Sequence, residues 1–170
     1  ALLHLEPAEL GEADISRPDE AQGHDALLDD LADWRRRLTD DGRPEAVARQ
    51  HRRGMMTARE RIAAVADPGS FVEIGGHVRN LQLDRPAPAD GVVTGACRID
   101  GRPAYVLSQD FTVIGGSAGH VGDAKMIRLA RLALDHGVPL VMILDGGGHR
   151  IQDGQSSYAY AASTTLFQEF

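Results

Sequence analysis

From Asp25 onward, Leu27, Leu28, Leu31, Trp34 and Leu38 recur at the spacing of one helical face. The pattern predicts a helix that Asp25 can cap and that Asp40-Asp41-Gly42 ends. A second helical stretch runs from Pro44 to about Arg53, with proline at a first-turn position that tolerates it. Thr57-Ala58-Arg59-Glu60 is a capping box for a short helix to Ala66, and Asp67-Pro68-Gly69 stops it. Residues 1–24 mix Pro, Glu, Asp and Gly without period and read as a loose arm.

The period then changes. Phe71-Val72-Glu73-Ile74 reads as a strand, and Leu83 to Ala89 as a proline-rich loop. Val92 to Ile99 and Pro103 to Ser108 are strand-like runs around Asp100-Gly101, a hairpin turn signal. Val121 to His136 is an amphipathic helix, closed by Gly137 and Pro139. Leu140 to Leu144 is a continuous apolar run, as in a strand buried on both faces. Strand, helix, strand predicts a parallel crossover and an α/β fold. Ser157 to Phe170 reads as a helix without a stop signal, so the expectation is either a fragment or a fold that another segment completes.

Length and charge narrow the class. At 170 residues the chain is about one domain, and a net charge of -7 argues against a general nucleic-acid binder. The single cysteine, Cys97, can form neither an internal disulfide nor a four-cysteine zinc site, and a reduced, cytoplasmic setting is expected. His120, His136 and His149 are scattered, so no metal site is expected. The first residues lack a signal-peptide pattern, and the apolar run at Val138 to Leu144 is too short to span a bilayer.

Two glycine loops can carry chemistry. Asp145-Gly146-Gly147-Gly148-His149-Arg150 follows a strand, where α/β sheets bind ligands, and glycine amides there can face a developing negative charge. A tight turn without a ligand explains the pattern equally well. Gly115-Gly116-Ser117-Ala118-Gly119 fits Gly-x-Ser-x-Gly, which raises a serine hydrolase with Ser117, Asp145 and His149. Against it, Asp145 and His149 share one short loop, and a glycine-rich helix start is the plainer reading. No dinucleotide or P-loop spacing occurs. Arg49, Arg52, Arg53, Arg59 and Arg61 form a basic group that either holds phosphates or is a solvated face. Lys125-Met126 has a faint likeness to a biotin attachment site but sits within a predicted helix, and is read as helix surface.

The run from Gly54 to Ile62, the stretch Asp67-Pro68-Gly69-Ser70-Phe71-Val72-Glu73 and Asp90-Gly91-Val92-Val93-Thr94-Gly95 resemble acyl-CoA carboxyltransferase β subunits. Propionyl-CoA and methylcrotonyl-CoA carboxylases are the type examples. Gln109 to Val113 with the loop 115–119, Lys125, and Asp145 to Gly154 complete a set of matches in order. The resemblance implies a crotonase-like (ClpP/crotonase) fold of stacked strand-strand-helix units. An arm (1–24) and a helical segment (25–66) would precede the carboxyltransferase domain (67–170), incomplete at its C-terminus. It implies that CO2 moves between carboxybiotin and the α-carbon of an acyl-CoA through an enolate.

In this resemblance Gly147 and Gly148 form the hole for the thioester oxygen, and Gly115, Gly116 and Ser117 border the pocket. His149 and Arg150 flank the hole, and Arg59 is placed toward the CoA phosphates. Biotin would ride on a separate carrier protein, loaded by a biotin carboxylase. A C-terminal half or second subunit would supply the biotin half-site within an oligomer. The family usually has Ser-Gly-Gly-Ala-Arg where this chain has Gly146-Gly147-Gly148-His149-Arg150. His149 either crowds the pocket or adds a proton carrier. An acyl-CoA decarboxylase on the same scaffold, the serine hydrolase and a non-catalytic assembly subunit are the competing expectations.

Overall fold

The structure, a computed structural model, describes residues 24–81, 83–117 and 119–151. The arm before His24 and the helix expected from Ser157 lie outside the described residues. Helices α1 (His24–Leu38), α2 (Pro44–Arg52) and α3 (Ala58–Val65) lead into strand β1 (Val72–Glu73). Next come β2 (Val92–Ile99), β3 (Arg102–Gln109), α4 (His120–His136) and β4 (Leu140–Ile143).

Local chemistry sets these ends. The Thr57 hydroxyl accepts the Glu60 amide while the Glu60 carboxylate accepts the Thr57 amide, a complete capping box. The Thr57 amide first, then His51, hold the Glu60 carboxyl below its usual range. Asp100 and Gly101 have φ of 50° and 74°, as a two-residue hairpin turn needs. The Asp67 carboxylate fixes that turn by accepting both amides, at 2.9 and 2.8 Å. Gly137 ends α4 in the left-handed conformation, and the Val138 amide reaches back to the Ala133 carbonyl.

The strands form one sheet in the order β1-β2-β3-β4, antiparallel except for the parallel pair β3 and β4. Alternation along each strand divides the side chains between two layers. Val93, Cys97, Ala104 and Val106 pack with Ala58 and Ile62 of α3 on one face. Val92, Tyr105 and Leu107 pack with Met126, Leu129 and Ala133 of α4 on the other. Truncating Leu107 or Leu129, both within 1% of full burial, would cost about 2–5 kcal/mol.

Three expectations need correction. Leu27, Leu28 and Leu31 share the predicted face of α1 but are exposed; only Trp34 and Leu38 are buried, against Ala89. Leu140 to Ile143 are half-buried rather than enclosed, because β4 is the sheet edge among the described residues. Lys125 is not helix surface. Its ammonium is 8% exposed at the residue level and donates to the carbonyls of Ala89, at 3.0 Å, and Val92. Burial pulls its pKa down from 10.5 to about 8, against the opposing pull of Glu73 and Asp90.

Candidate active site

The two glycine loops meet at the ends of β3 and β4, backbone against backbone. A Cβ on Gly116 would lie 2.2 Å from the Asp145 carbonyl oxygen, and one on Gly146 would lie 2.5 Å from the Gly116 carbonyl oxygen. Side chains at either position are therefore excluded by packing. The Gly147 amide donates to the Gly115 carbonyl at 2.9 Å. Of the two amides expected in the oxyanion hole, this one already has an acceptor. Gly148 differs. Its φ is +102°, a Cβ there would meet nothing within 4 Å, and its amide finds no acceptor among the described residues.

Beneath the loops lies a buried ion pair. Arg150 and Asp90, with side chains 1% and 0% exposed, meet at 2.5 Å. Arg150 also donates to the Ser117 carbonyl at 3.0 Å, so it ties one glycine loop to the other. The second Asp90 oxygen accepts the Gly122 amide at 2.8 Å, in the first turn of α4. Arg150, expected to face substrate, is placed inside the fold instead. Asp90 itself sits at φ 50°, in the region where Asp and Asn are the tolerated non-glycine residues.

The hydrolase constellation is not assembled. The Ser117 hydroxyl donates to the Ile114 carbonyl at 2.9 Å. Asp145 pairs with Arg61 and accepts from Gln50 at 3.2 Å, not from His149. The His149 ring lies 3.8 Å from the Asp123 carboxylate, too far for a direct hydrogen bond.

The basic group divides. Arg59 donates to the Leu38 carbonyl and the Glu73 carboxylate, both at 2.8 Å, and so holds α1 to β1 rather than standing near the glycine loops. Arg61 is committed to Asp145. Arg49 and Arg53 line a cavity of about 500 Å³ with Arg43, Arg85, Phe111 and Gly115, and no carboxylate lines it among the described residues. Arg43 is bound to Asp110 at 2.8 Å, and Arg53 lies 4.2 Å over the Phe111 ring. Among the described residues Arg49 and Arg85 have no ion-pair partner, so this cavity offers uncompensated guanidinium groups beside the loop at Gly115. Sequence spacing had not joined Arg43 or Arg85 to this group, because they come from separate segments. Asp90 entered only within the Asp90-to-Gly95 stretch that carries the family resemblance, and Gln50 carried no signal at all.

Residues 49–169 match the carboxyl transferase domain family. The chain is 47% identical over 146 residues to the propionyl-CoA carboxylase beta chain of Saccharopolyspora erythraea, covering 81% of this chain and 27% of that one. It is 45% identical over 123 residues to the methylmalonyl-CoA decarboxylase subunit alpha of Veillonella parvula, covering 69% and 24% respectively. Among solved structures, the transcarboxylase 12S hexamer with methylmalonyl-coenzyme A and methylmalonic acid bound superposes with a TM-score of 0.73 at 36% identity, covering 86% of this chain and 28% of that one. The chain thus spans about a quarter of the length of these relatives.

Proposed function

The chain belongs to the carboxyl transferase domain family and has its crotonase-like fold, and on that premise we propose that it forms the acyl-CoA half-site of a biotin-dependent carboxyltransferase. The observation that carries this reading is a pairing of two features. Gly148 offers an amide with no acceptor among the described residues, in a loop bonded through Gly147 to Gly115. Gly115 in turn lines the arginine cavity.

The chemistry needs both features. When the α-carbon of an acyl thioester loses its proton, the carbonyl oxygen gains charge. A fixed N–H in a water-poor setting stabilises that charge far more than water would. We assign this role to the Gly148 amide, with Gly147 holding the loop and Gly115, Gly116 and Ser117 forming its wall. Arg49, Arg53 and Arg85 supply charge for the phosphates of coenzyme A. In balance, the α-carbon exchanges a proton for a carboxyl group and the proton ends on the biotin nitrogen.

Carboxybiotin supplies the CO2. Lys125, the only lysine of the sequence, does not fit as its attachment point, because its amine is buried on two carbonyls. The reading therefore places biotin on a separate carrier, charged by a biotin carboxylase, and the biotin half-site in a C-terminal half or second subunit of an oligomer. No step is assigned to a residue of this chain at that half-site. We place the assembly in the cytoplasm. No helix among the described residues is long and apolar enough to cross a membrane.

A decarboxylase is the second reading, favoured by the match to the methylmalonyl-CoA decarboxylase subunit. There the enolate arises by loss of CO2, and the same amide holds its oxygen.

The test uses the complete assembly. Carboxyl transfer from carboxybiotin to propionyl-CoA is expected, with release of CO2 from methylmalonyl-CoA as the measure of the second reading. An assembly that binds no acyl-CoA and performs neither reaction overturns both. A φ of +102° makes Gly148→Pro uninformative, because proline is fixed near -65°. Replacing Gly148 by glycolic acid removes only the N–H and is expected to lower kcat roughly 10²- to 10³-fold with acyl-CoA affinity retained. An unchanged kcat removes this amide from the mechanism.

A further inference from the structure

One buried side chain joins the arginine cavity to the glycine loop. Gln50 of α2 is 3% exposed. Its Oε1 accepts from Arg53 Nη1 at 3.3 Å, on the cavity side. Its Nε2 donates to the Asp145 carboxylate at 3.2 Å and to the Met56 carbonyl at 3.3 Å. Asp145 is where the chain leaves the β4 segment for the three glycines, and its amide is held by the Gln109 side chain at 3.0 Å. A second link runs through Gly115, which lines the cavity while its carbonyl holds the Gly147 amide.

We propose that Gln50 is a positioning residue that couples occupation of the arginine cavity by the phosphorylated end of the substrate to the alignment of the Gly146–Gly148 loop. The inference rests on the acyl-CoA reading above and adds a route by which one end of the substrate speeds reaction at the other. A carboxamide bonded at both ends has little freedom: its oxygen faces Arg53 and its nitrogen faces Asp145. Arg53 is shared between Gln50, the Phe111 ring and the cavity. A phosphate that draws Arg53 inward re-aims the Gln50 amide, and Asp145 follows. Binding energy from the remote, unreactive part of the substrate is then spent on orientation at the reacting carbonyl, and appears in kcat rather than in KM.

The experiment compares propionyl-CoA with propionyl-pantetheine, which carries the same thioester but no phosphate, in the complete carboxyltransferase. The wild-type kcat is expected to be roughly tenfold or more higher with the CoA ester. Adenosine 3′,5′-bisphosphate, added in trans, is expected to raise the kcat for the pantetheine ester. Gln50→Met keeps the volume and removes all three polar contacts, to Arg53, Asp145 and the Met56 carbonyl. It is expected to bring the kcat for the CoA ester down to that for the pantetheine ester, to abolish activation by the bisphosphate, and to leave KM for propionyl-CoA within about twofold. A purely structural role would lower both kcat values together. Wild-type enzyme with equal kcat on the two esters and no activation by the bisphosphate overturns the coupling, as does a Gln50→Met enzyme that keeps the wild-type ratio. The wild-type arms need no substitution and can still overturn the coupling if Gln50→Met fails to fold. An assembly inactive on both esters defeats the acyl-CoA reading instead.

Discussion

Replacing Asp90 by Asn isolates the charge of the buried ion pair. Asn has nearly the same shape and tolerates the φ of 50° found there, so the backbone has no cause to move. What changes is the partner of Arg150, whose side chain is 1% exposed. Its guanidinium keeps the Ser117 carbonyl at 3.0 Å and a weak contact to the Ser117 hydroxyl at 3.4 Å, but loses the Asp90 carboxylate charge it meets at 2.5 Å. Removing one charge of a buried ion pair costs about 3–5 kcal/mol. The weakened acceptor for the Gly122 amide, in the first turn of α4, adds a few tenths to about 1 kcal/mol. Arg150→Met alone strands the carboxylate and should cost a similar amount. Together, the two substitutions remove both charges of the pair, so the double variant should lose clearly less than the sum. Urea unfolding can be followed by Trp34, the only tryptophan, which packs beside Ala89, the neighbour of Asp90. The comparison is valid where the slope with urea is unchanged. A loss below about 1 kcal/mol for Asp90→Asn, or single costs that add to within about 0.5 kcal/mol, would refute the argument.

Two other predictions concern the loops and the buried amine. Gly116→Ala combines a φ of +64° with a Cβ 2.2 Å from a carbonyl oxygen, whereas Gly101→Ala has a φ of +74° and open space. Gly101→Ala should cost only the left-handed penalty of about 1–2 kcal/mol; Gly116→Ala should cost more and also lower kcat, and equal costs in thermal unfolding would argue against the close loop contact. For Lys125 the folded pKa, about 8, lies below the ordinary 10.5. The unfolded chain therefore binds more protons between those values, and the group's contribution to stability rises as pH climbs through that window. Measured as the difference in Tm between wild type and Lys125→Met, the shift should move in favour of wild type from pH 8 to pH 10; a flat or falling difference contradicts it.

Much of this architecture was legible in the chain because its signals are local. The capping box at Thr57, the Asp100-Gly101 turn and the glycine after α4 each depend on a few consecutive residues, and each forms as expected. Apolar periodicity located α1 but not its burial: it tells which residues share a face, not whether anything covers them, and Leu27, Leu28 and Leu31 remain exposed. The candidate site was legible as two glycine loops and illegible as a network. Asp90 and Arg150 lie 60 positions apart, and Gln50 and Asp145 lie 95 apart. No spacing rule reaches that far, and a glutamine in a polar helix gives no sign that it will be buried. Arg59 and Arg61 misled for the opposite reason. Adjacency in sequence suggested a shared basic surface, whereas neighbouring positions on a helix point apart and found separate acids, Glu73 and Asp145.

The enclosure of Lys125 has a chemical corollary. Activated thioesters acylate free amines, and an amine with a pKa near 8 would be a good target if solvent reached it. Here the sole lysine is shut beneath the turn at Ala89 to Val92, while the other seventeen basic side chains are arginines, which thioesters leave alone. The described fold thus presents reactive acyl donors with no accessible side-chain amine, and self-modification at lysine is closed to it for as long as it stays folded. The same fact gives a probe: amine-directed labelling of Lys125 reports opening of the α4 and Ala89–Val92 contact, with no background from any other lysine of this sequence.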